Sequence, residues 1–273
     1  MQKNCLITGL PRGGTSLFIS LLAEASGHVC LSEPLWLKEM RDQANNKAQF
    51  VTSLQQQFET IRHDIRTGQA IDVVVKKGTQ ALPDNYFKKT DSGIKRKSHR
   101  INEPVLFAPE LADKKIYVKA NPVFAVCLEE LIQFQAFDIM VVVRHPLAAL
   151  MSWRTLNIPS SRGRIRVLEK FSESLQHIGQ HTDRLQRQVL LMDWYFQQYS
   201  QIPKNNIVYY EDLVSDPVST LGRFVQTKTW PSWQLESQNA NPAYQLSERQ
   251  KIVQAIEKYG KYYQRFYPDL SSN

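Results

Sequence analysis

The sequence predicts an α/β fold in which a central, mainly parallel sheet is flanked by helices. Short β-branched runs alternate along the chain with longer stretches of helical apolar spacing, a pattern typical of such folds. Residues 141–143 are apolar without alternation, as in a strand buried on both faces. At the N-terminus an apolar run leads into a Gly-rich turn and then into a helical pattern, which indicates a strand–turn–helix unit.

Each element follows from local patterning. The predicted strands cover residues 4–8, 28–32, 72–76, 116–119, 138–143 and 207–210. The predicted helices cover 15–26 (with Gly27 as its stop), 50–66, 122–135, 146–156, 167–200 in one or two pieces, 216–226 and 247–260. In such sheets, ligands bind beyond the carboxyl ends of the strands.

The chain is long enough to bury one sizeable core. We therefore expect a single domain over residues 1–273, with active-site insertions near 77–115 and 157–183. Both stretches are rich in Lys, Arg, Pro or Ser, and we expect them to be irregular and to lie over the ligand-binding edge.

The composition predicts a soluble, cytoplasmic protein. No apolar run approaches bilayer-spanning length, and the first apolar run ends at a Gly-rich turn instead of continuing as a signal peptide. The three cysteines, Cys5, Cys30 and Cys127, are far apart and form no C-x-x-C motif. We interpret Cys5 and Cys127 as packing thiols in a reducing compartment.

The charge balance favours an anionic ligand. The formal net charge is +8 and the isoelectric point is about 9.3, which nucleic acid binding would also explain. Residues 88–100 hold six Lys or Arg against one acid, Asp91. This segment is either a solvated loop or a lid over an anionic cofactor or substrate.

The turn from Gly9 to Ser16 has the spacing of a phosphate-binding loop. Gly9 and Gly14 fit G-x-x-x-x-G, and Ser16 stands at the usual Ser/Thr position. Backbone N–H groups and the positive end of the next helix dipole converge in such a loop and bind anions. The alternative is a Gly-rich turn without a ligand.

One position departs from the nucleotide triphosphatase pattern. Thr15 replaces the Lys of that pattern, and the cation, Arg12, lies inside the loop. In triphosphatases, the Lys and a magnesium ion neutralise charge on the transferring phosphoryl group. A transferring sulfonyl group carries less negative charge, so it needs a metal much less.

A second candidate anion site follows the predicted strand 138–143. Arg144 leaves the strand tip, and Ser152, eight positions later, falls on the next predicted helix. Together they offer a guanidinium fork and a hydroxyl to a second phosphate group. The alternative is an Arg paired with a carboxylate and a Ser that faces the helix.

These motifs together resemble the sulfotransferases that use 3′-phosphoadenosine 5′-phosphosulfate (PAPS). The shared motifs are P-R-x-G-T-S near the N-terminus and R-x-P with Ser eight positions after the Arg. Residues 31–36 look like the Glu-Pro segment of carbohydrate and related bacterial sulfotransferases, and 205–213 resemble the family's late Y-E-D-L segment. The resemblance extends over most of the chain and implies a P-loop NTPase-like sulfotransferase fold.

The resemblance also implies which residues bind the cofactor. The 5′-phosphosulfate would be held by the loop residues Arg12, Gly13, Gly14, Thr15 and Ser16. The 3′-phosphate would be held by Arg144 and Ser152, and Tyr210 would lie near the adenine.

The implied catalytic residues are Glu33, Lys119 and Arg12. Glu33 would be the general base, with Lys119 and Arg12 as cations near the sulfonate. Cytosolic sulfotransferases place a catalytic His two positions after the matching Lys, where this chain has Asn121, so the base falls to Glu33. Lys119 is also offset by one from the usual K-x-P spacing. The alternative role for Glu33 is a charge partner of Arg12 or Arg144.

Two further departures concern the 3′-phosphate site. His145 replaces the commoner Asp or Asn of the R-x-P motif, and the Arg-Lys-Gly motif of the cytosolic enzymes is not evident.

We expect no metal. His177 and His181 have helical i, i+4 spacing, but Gly179 lies between them and no third ligand is evident. Glu211 and Asp212 imitate a magnesium-binding strand end, and we interpret them as structural, with Asp212 or Ser215 capping the following helix.

The sequence therefore predicts a PAPS-dependent sulfotransferase that transfers a sulfonyl group to a hydroxyl or amine-type nitrogen. The expected acceptor is a small molecule, specifically a natural product, with neither nucleic acid nor a membrane as a partner. Two alternatives stay open at this point. One is a P-loop phosphotransferase or triphosphatase, and the other is a protein that binds nucleic acid or acidic glycans through residues 88–100.

Overall fold

The computed structural model describes residues 3–90, 93–98, 100–242 and 244–270. These residues form one five-stranded parallel sheet and two two-stranded antiparallel sheets. The described strands are β1 (Asn4–Gly9), β2 (Val29–Ser32), β3 (Ile71–Lys76), β4 (Phe87–Thr90), β5 (Gly93–Ser98), β6 (Arg100–Val105), β7 (Ile116–Lys119), β8 (Phe137–Val143) and β9 (Ile207–Tyr209).

The central sheet has five strands in the order β2-β7-β1-β8-β9, and every pair in it is parallel. All residues of β1, β2 and β7 are buried, as expected for strands covered on both faces. The predicted fold class, a mainly parallel sheet flanked by helices, is confirmed. Because the strands are parallel, the carboxyl ends of all five lie at one edge.

The helices account for most of the remaining chain. The α-helices are α1 (Thr15–Ser26), α2 (Leu35–Gln43), α3 (Lys47–Arg66), α4 (Asn121–Val126), α5 (Leu128–Phe134), α6 (Pro146–Arg154), α7 (Glu173–Gln180), α8 (Arg184–Tyr199), α9 (Tyr210–Ser215), α10 (Pro217–Gly222) and α11 (Arg249–Tyr259). Short 3₁₀ helices cover Pro109–Asp113, Pro159–Arg162, Arg166–Phe171, Lys204–Asn206, Leu246–Glu248 and Tyr262–Arg265.

Several predicted helices differ from the observed ones at their caps. The stretch 167–200, predicted as one or two helical pieces, contains two α-helices, because the side chains of Ser172 and Asp183 accept hydrogen bonds from backbone N–H groups and begin α7 and α8 separately. The predicted helix 122–135 is broken at Cys127. The expected capping by Asp212 or Ser215 is wrong, because Asp216 accepts from the Ser219 N–H and begins α10.

The prediction that 77–115 is irregular is also wrong. β3, predicted as a strand at 72–76, pairs antiparallel with β6 outside the central sheet, and β4 pairs antiparallel with β5. The segment 157–183 consists largely of short 3₁₀ helices and α7. In the basic segment 88–100, residues 91, 92 and 99 lie outside the described residues, as do the side chains of the others.

The cysteines of the described residues form no disulfide. Cys5, Cys30 and Cys127 are buried free thiols, and burial raises the pKa of Cys127 to about 12. The described part of the chain contains no helix with the length and apolar content that crossing a membrane requires.

Candidate active site

The residues singled out from the sequence meet at the carboxyl edge of the central sheet. Arg12 lies in the loop after β1, Glu33 directly follows β2, and Lys119 is the last residue of β7. Arg144 directly follows β8, and Tyr210 directly follows β9. Each of the five strands therefore delivers one polar or aromatic side chain to the same edge.

The loop between β1 and α1 is held in an anion-binding shape. The N–H of Gly13 donates to the carbonyl of Leu10 at 2.8 Å, which closes the turn. Arg12 and Gly14 have positive φ angles of 65° and 93°. Within the described residues, no side chain caps the N-terminus of α1, so its first N–H groups are available to a ligand.

Gly14 is required by its contact with Tyr210 as well as by its backbone. A Cβ atom at Gly14 would lie 2.6 Å from Cδ2 of the Tyr210 ring. The Arg144 guanidinium also contacts this ring, because its central carbon lies 4.6 Å from the centre of the Tyr210 ring. Tyr210 thus joins the loop to the arginine that follows β8.

Thr15 and Ser16 contact residues of β7 and α4. The Thr15 hydroxyl accepts a hydrogen bond from the Asn121 side-chain amide at 3.0 Å. The Lys119 ammonium donates to the Ser16 hydroxyl at 3.3 Å. The start of α1 is therefore fixed against the end of the neighbouring strand.

Glu33 and Lys119 form an ion pair inside the site. The Lys119 Nζ lies 2.6 Å from Oε1 of Glu33, and the Lys119 side chain is 2% exposed while that of Glu33 is 32% exposed. Glu33 has a positive φ of 49°, and its N–H donates to the Lys119 carbonyl at 2.8 Å. The sequence offered Arg12 or Arg144 as a charge partner for Glu33, and in this structure Lys119 pairs with it. The carboxylate keeps one side open to solvent.

Tyr86 supports this pair from the segment before β4. The Lys119 Nζ lies 4.8 Å from the centre of the Tyr86 ring. The Tyr86 hydroxyl also hydrogen-bonds the hydroxyl of Ser32, the residue before Glu33. Tyr86, which belongs to the 77–115 stretch, therefore contacts the Glu33–Lys119 pair and its neighbour Ser32.

The two predicted anion sites are in direct contact. The Arg12 Nε donates to the Ser152 hydroxyl at 3.4 Å, and an Arg12 terminal nitrogen donates to Asn85 Oδ1 at 3.0 Å. Arg144 in turn donates to the Arg12 carbonyl at 3.0 Å. Ser152, assigned from the sequence to the 3′-phosphate with Arg144, is thus brought to Arg12 in this structure.

Arg144 is buried and held by residues 238–244. Its guanidinium donates to the Asn239 side-chain oxygen at 2.8 Å, to the Gln238 carbonyl at 2.5 Å and to the Tyr244 hydroxyl at 3.1 Å. A phosphate bound at Arg144 has to share or replace some of these contacts. No pattern in the sequence marked this segment.

Glu211 organises the groups around Arg144. Its carboxylate accepts hydrogen bonds from the Asn239 amide at 2.9 Å, the Tyr267 hydroxyl at 2.8 Å and the His145 backbone N–H at 3.1 Å. Burial lowers the pKa of His145, although the nearby Glu211 carboxylate opposes part of that shift. Glu211 therefore has the structural role expected of it.

These side chains surround a cavity of about 860 Å³. All the site residues named from the sequence line it except Gly13 and Ser152. The volume is within the range of cavities that hold cofactors and small molecules. The donor set fits an anionic nucleotide, because a capless helix N-terminus and three cations, Arg12, Lys119 and Arg144, face one space.

Comparison with known proteins identifies the family. A family model described as the sulfotransferase family matches residues 5–234 of the chain. The chain belongs to the sulfotransferase family. The matched range contains every site residue that the sequence predicted, from Arg12 to Tyr210.

The crystal structure of the sulfotransferase STF1 from Mycobacterium tuberculosis is similar to this sulfotransferase with a TM-score of 0.42 and 11% identity, covering 94% of this chain and 77% of that one. None of the curated proteins compared with this sulfotransferase matches it.

Proposed function

We propose that this sulfotransferase uses PAPS to sulfonate a hydroxyl or amine-type nitrogen of a small molecule, with Glu33 as the general base. The observation that carries the proposal is the Glu33–Lys119 pair, which lines the same cavity as the phosphate-binding loop and Arg144. A base and the cations for a leaving phosphate are thus supplied side by side.

When bound, PAPS supplies the sulfonyl group: the acceptor atom bonds to sulfur, and the bond from sulfur to the 5′-phosphate oxygen breaks. Glu33 takes the proton that the acceptor loses, because its carboxylate is partly open to the cavity. Lys119 and Arg12 stabilise negative charge that develops on the phosphate side. The ammonium of Lys119 already contacts Ser16, so it is fixed before any ligand arrives.

The remaining site residues bind and orient the nucleotide. Gly13, Gly14, Thr15 and Ser16 offer backbone N–H groups and hydroxyls to the 5′-phosphosulfate. Arg144 selects for the 3′-phosphate. Ser152 is linked to Arg144 by Arg12, which hydrogen-bonds both residues. Tyr210, which packs on Gly14 and Arg144, contacts the adenosine.

The proposal extends to the setting of the reaction. The three buried free thiols support a reducing, cytoplasmic compartment. The cavity volume supports a small-molecule acceptor such as a natural product. We expect no metal, no membrane and no nucleic acid to take part, and one domain with its insertions near 77–115 and 157–183 to carry the whole activity.

The test is isothermal calorimetry with 3′-phosphoadenosine 5′-phosphate (PAP), AMP and ATP. We expect PAP to bind far more tightly than AMP or ATP, because Arg144 recognises the 3′-phosphate. Arg144→Ala should remove most of that preference. Arg66→Ala is the matched control, since Arg66 forms an exposed pair with Asp113.

Equal affinity for PAP and AMP would refute the cofactor assignment. Magnesium-dependent turnover of ATP would instead favour a phosphotransferase with the same loop.

A further inference from the structure

Tyr86 lies in the chain between β3 and β4, outside the central sheet, yet it reaches the Glu33–Lys119 pair at the edge of that sheet. The residue is only 9% exposed, and it lines the cavity. Its ring and its hydroxyl contact different partners, and these partners belong to the two sides of the ion pair. A buried aromatic side chain with a polar tip is suited to fixing the geometry of reacting groups.

The ring of Tyr86 restrains the ammonium of Lys119. The Lys119 Nζ lies 4.8 Å from the ring centre, 2.6 Å from Oε1 of Glu33 and 3.3 Å from the Ser16 hydroxyl. A lysine has a flexible stem and a compact charge without a fixed direction, so its position is set by what surrounds it. The ring therefore helps to keep this ammonium between the proposed base and the phosphate-binding loop.

The hydroxyl of Tyr86 acts on the other member of the pair through Ser32. It hydrogen-bonds the Ser32 hydroxyl, and Ser32 is fully buried at the end of β2. Glu33 follows with a φ of 49°, and its N–H donates to the Lys119 carbonyl. A residue in this left-handed conformation keeps it only where its surroundings hold it. Tyr86 thus fixes the strand end from which the Glu33 side chain leaves.

The segment that carries Tyr86 is itself anchored on the phosphate-binding unit. The Ser20 hydroxyl, on α1, donates to the carbonyl of buried Leu82 at 3.2 Å. Asn85 Oδ1 accepts a hydrogen bond from Arg12 at 3.0 Å. Tyr86 directly follows these two fixed points, and a side chain that is held in this way can position others.

We propose that Tyr86 is a positioning residue of the sulfonyl transfer: its ring aims the Lys119 ammonium, and its hydroxyl, through Ser32, aims the Glu33 carboxylate. Tyr86 itself takes no proton. The separation of base and cation has to persist while the acceptor atom bonds to sulfur and Glu33 takes the proton, and small displacements of reacting groups slow such steps strongly. The inference rests on the proposed function, which gives Glu33 and Lys119 their roles.

The first test measures the release of PAP from PAPS, with 2-naphthol as the acceptor and with water alone. Tyr86→Phe keeps the ring and removes the hydroxyl, so kcat should fall about three- to tenfold, the effect of one buried hydrogen bond. Tyr86→Leu also removes the ring, so kcat should fall at least about threefold further. Calorimetry should show that Tyr86→Phe changes the PAP affinity less than about twofold, because lost positioning lowers kcat without weakening binding.

A double-mutant cycle tests the path through Ser32. Ser32→Ala removes the same hydrogen bond from its other end, so the double variant with Tyr86→Phe should be no slower than the slower single variant. The matched control is Tyr262→Phe, which removes a hydrogen-bonding hydroxyl from a tyrosine that is 42% exposed and lies away from the cavity. Its kcat should equal that of the original protein. Additive losses from Tyr86→Phe and Ser32→Ala would refute the path.

A second cycle uses the free protein and needs no nucleotide. Urea unfolding is measured for Tyr86→Leu, for Lys119→Met and for their combination. The two changes should be coupled by a factor of at least about three in the unfolding equilibrium constant, because both remove the same contact between ring and ammonium. Tyr86→Phe, which keeps the ring, should be coupled to Lys119→Met by less than about twofold.

The outcomes separate this inference from the proposed function. If the original protein binds no PAP, or releases none from PAPS, the proposed function fails and the role of Tyr86 in the reaction fails with it. If it does both and the two Tyr86 variants turn over at the original rate, only the positioning role is refuted. Equal rates of Tyr86→Phe and Tyr86→Leu, or no coupling of Tyr86→Leu to Lys119→Met, refute the contribution of the ring. If Tyr86→Leu does not fold, Tyr86→Phe and Ser32→Ala still decide the role of the hydroxyl.

Discussion

The Nζ atom of Lys119 lies 2.6 Å from Oε1 of Glu33, although 86 positions separate the two residues in the chain. The contact forms because β2 and β7 are parallel neighbours in which Ser32 lies opposite Lys119. The backbone of Glu33 continues that pairing by one more hydrogen bond, to the Lys119 carbonyl. Strand pairing therefore sets the distance between the proposed base and its neighbouring cation.

Replacing Glu33 with Gln tests the proposed base. The amide keeps the size of the side chain but cannot take a proton, so we expect turnover to fall by about 10²- to 10⁴-fold. PAP affinity, measured by calorimetry, should change little. Glu39→Gln is the matched control, because Glu39 is an exposed residue of the next helix. Near-normal turnover of Glu33→Gln would eliminate Glu33 as the base.

A double-mutant cycle measures the ion pair itself. Lys119→Met removes a charge from a side chain that is 2% exposed, and Glu33, at 32% exposure, is then partly solvated by water. We expect Glu33→Gln and Lys119→Met together to lower the free energy of unfolding by less than the sum of the single changes. The coupling should be about 1 kcal/mol, as for other residues in contact. Urea unfolding of the four proteins gives this value, and strict additivity would contradict it.

Gly14 and Gly27 form a matched pair for testing the loop. Both have positive φ, 93° and 59°, but a Cβ meets the Tyr210 ring only at Gly14, while nothing lies within 4 Å at Gly27. Gly27→Ala should cost about 1 kcal/mol of backbone strain and leave PAP binding unchanged. Gly14→Ala should cost more, and PAP affinity should fall at least about tenfold, which corresponds to about 1.4 kcal/mol.

Urea unfolding and PAP calorimetry on both variants check these expectations. Equal effects of the two substitutions on PAP affinity would show that the loop does not bind the nucleotide.

The lowered pKa of buried His145 predicts that the free energy of unfolding depends on pH. Burial lowers its pKa in the folded state, so below about pH 6.5 the unfolded chain binds more protons at this position than the folded one. The stability gained by keeping His145 neutral in the folded protein is therefore fully present above about pH 6.5 and is lost as the pH falls below that value. Its slope cannot exceed about 1.4 kcal/mol per pH unit for one proton.

His145→Asn should flatten the loss of stability between about pH 7 and 5, because Asn does not titrate. Urea unfolding at several pH values measures the slope. His63→Asn is the control, since His63 is an exposed residue of α3. Equal slopes for the original protein and His145→Asn would mean that other groups govern its acid sensitivity.

The parts of the fold that depend on local patterning were predictable. The strands of the central sheet are short buried apolar runs, and the loop motif fixes the turn and the start of α1 by spacing alone. Because parallel strands end at one edge, the predicted strand ends also bring Arg12, Glu33, Lys119 and Arg144 to the same edge. The family comparison then confirmed the resemblance on which their proposed roles rest.

The contacts that complete the site were not predictable, because they come from distant residues without a periodic signal. Asn85 and Tyr86 reach Arg12 and Lys119 from an insertion. Asn239 reaches Arg144 across 95 positions. The strand Arg100–Val105 was missed because Pro104 and several polar residues interrupt its apolar pattern.

Arg12 and Glu33 hold conformations that ordinary side chains avoid, with φ angles of 65° and 49°. Glu33 also precedes Pro34, where an extended backbone is usual. Glycine would relieve the tension at both places and would erase the two side chains in doing so. Selection for heat resistance therefore meets two opposed effects at position 33, the strain that glycine removes and the buried Lys119 ammonium that glycine leaves without the Glu33 carboxylate, so any such campaign must screen for turnover at the same time.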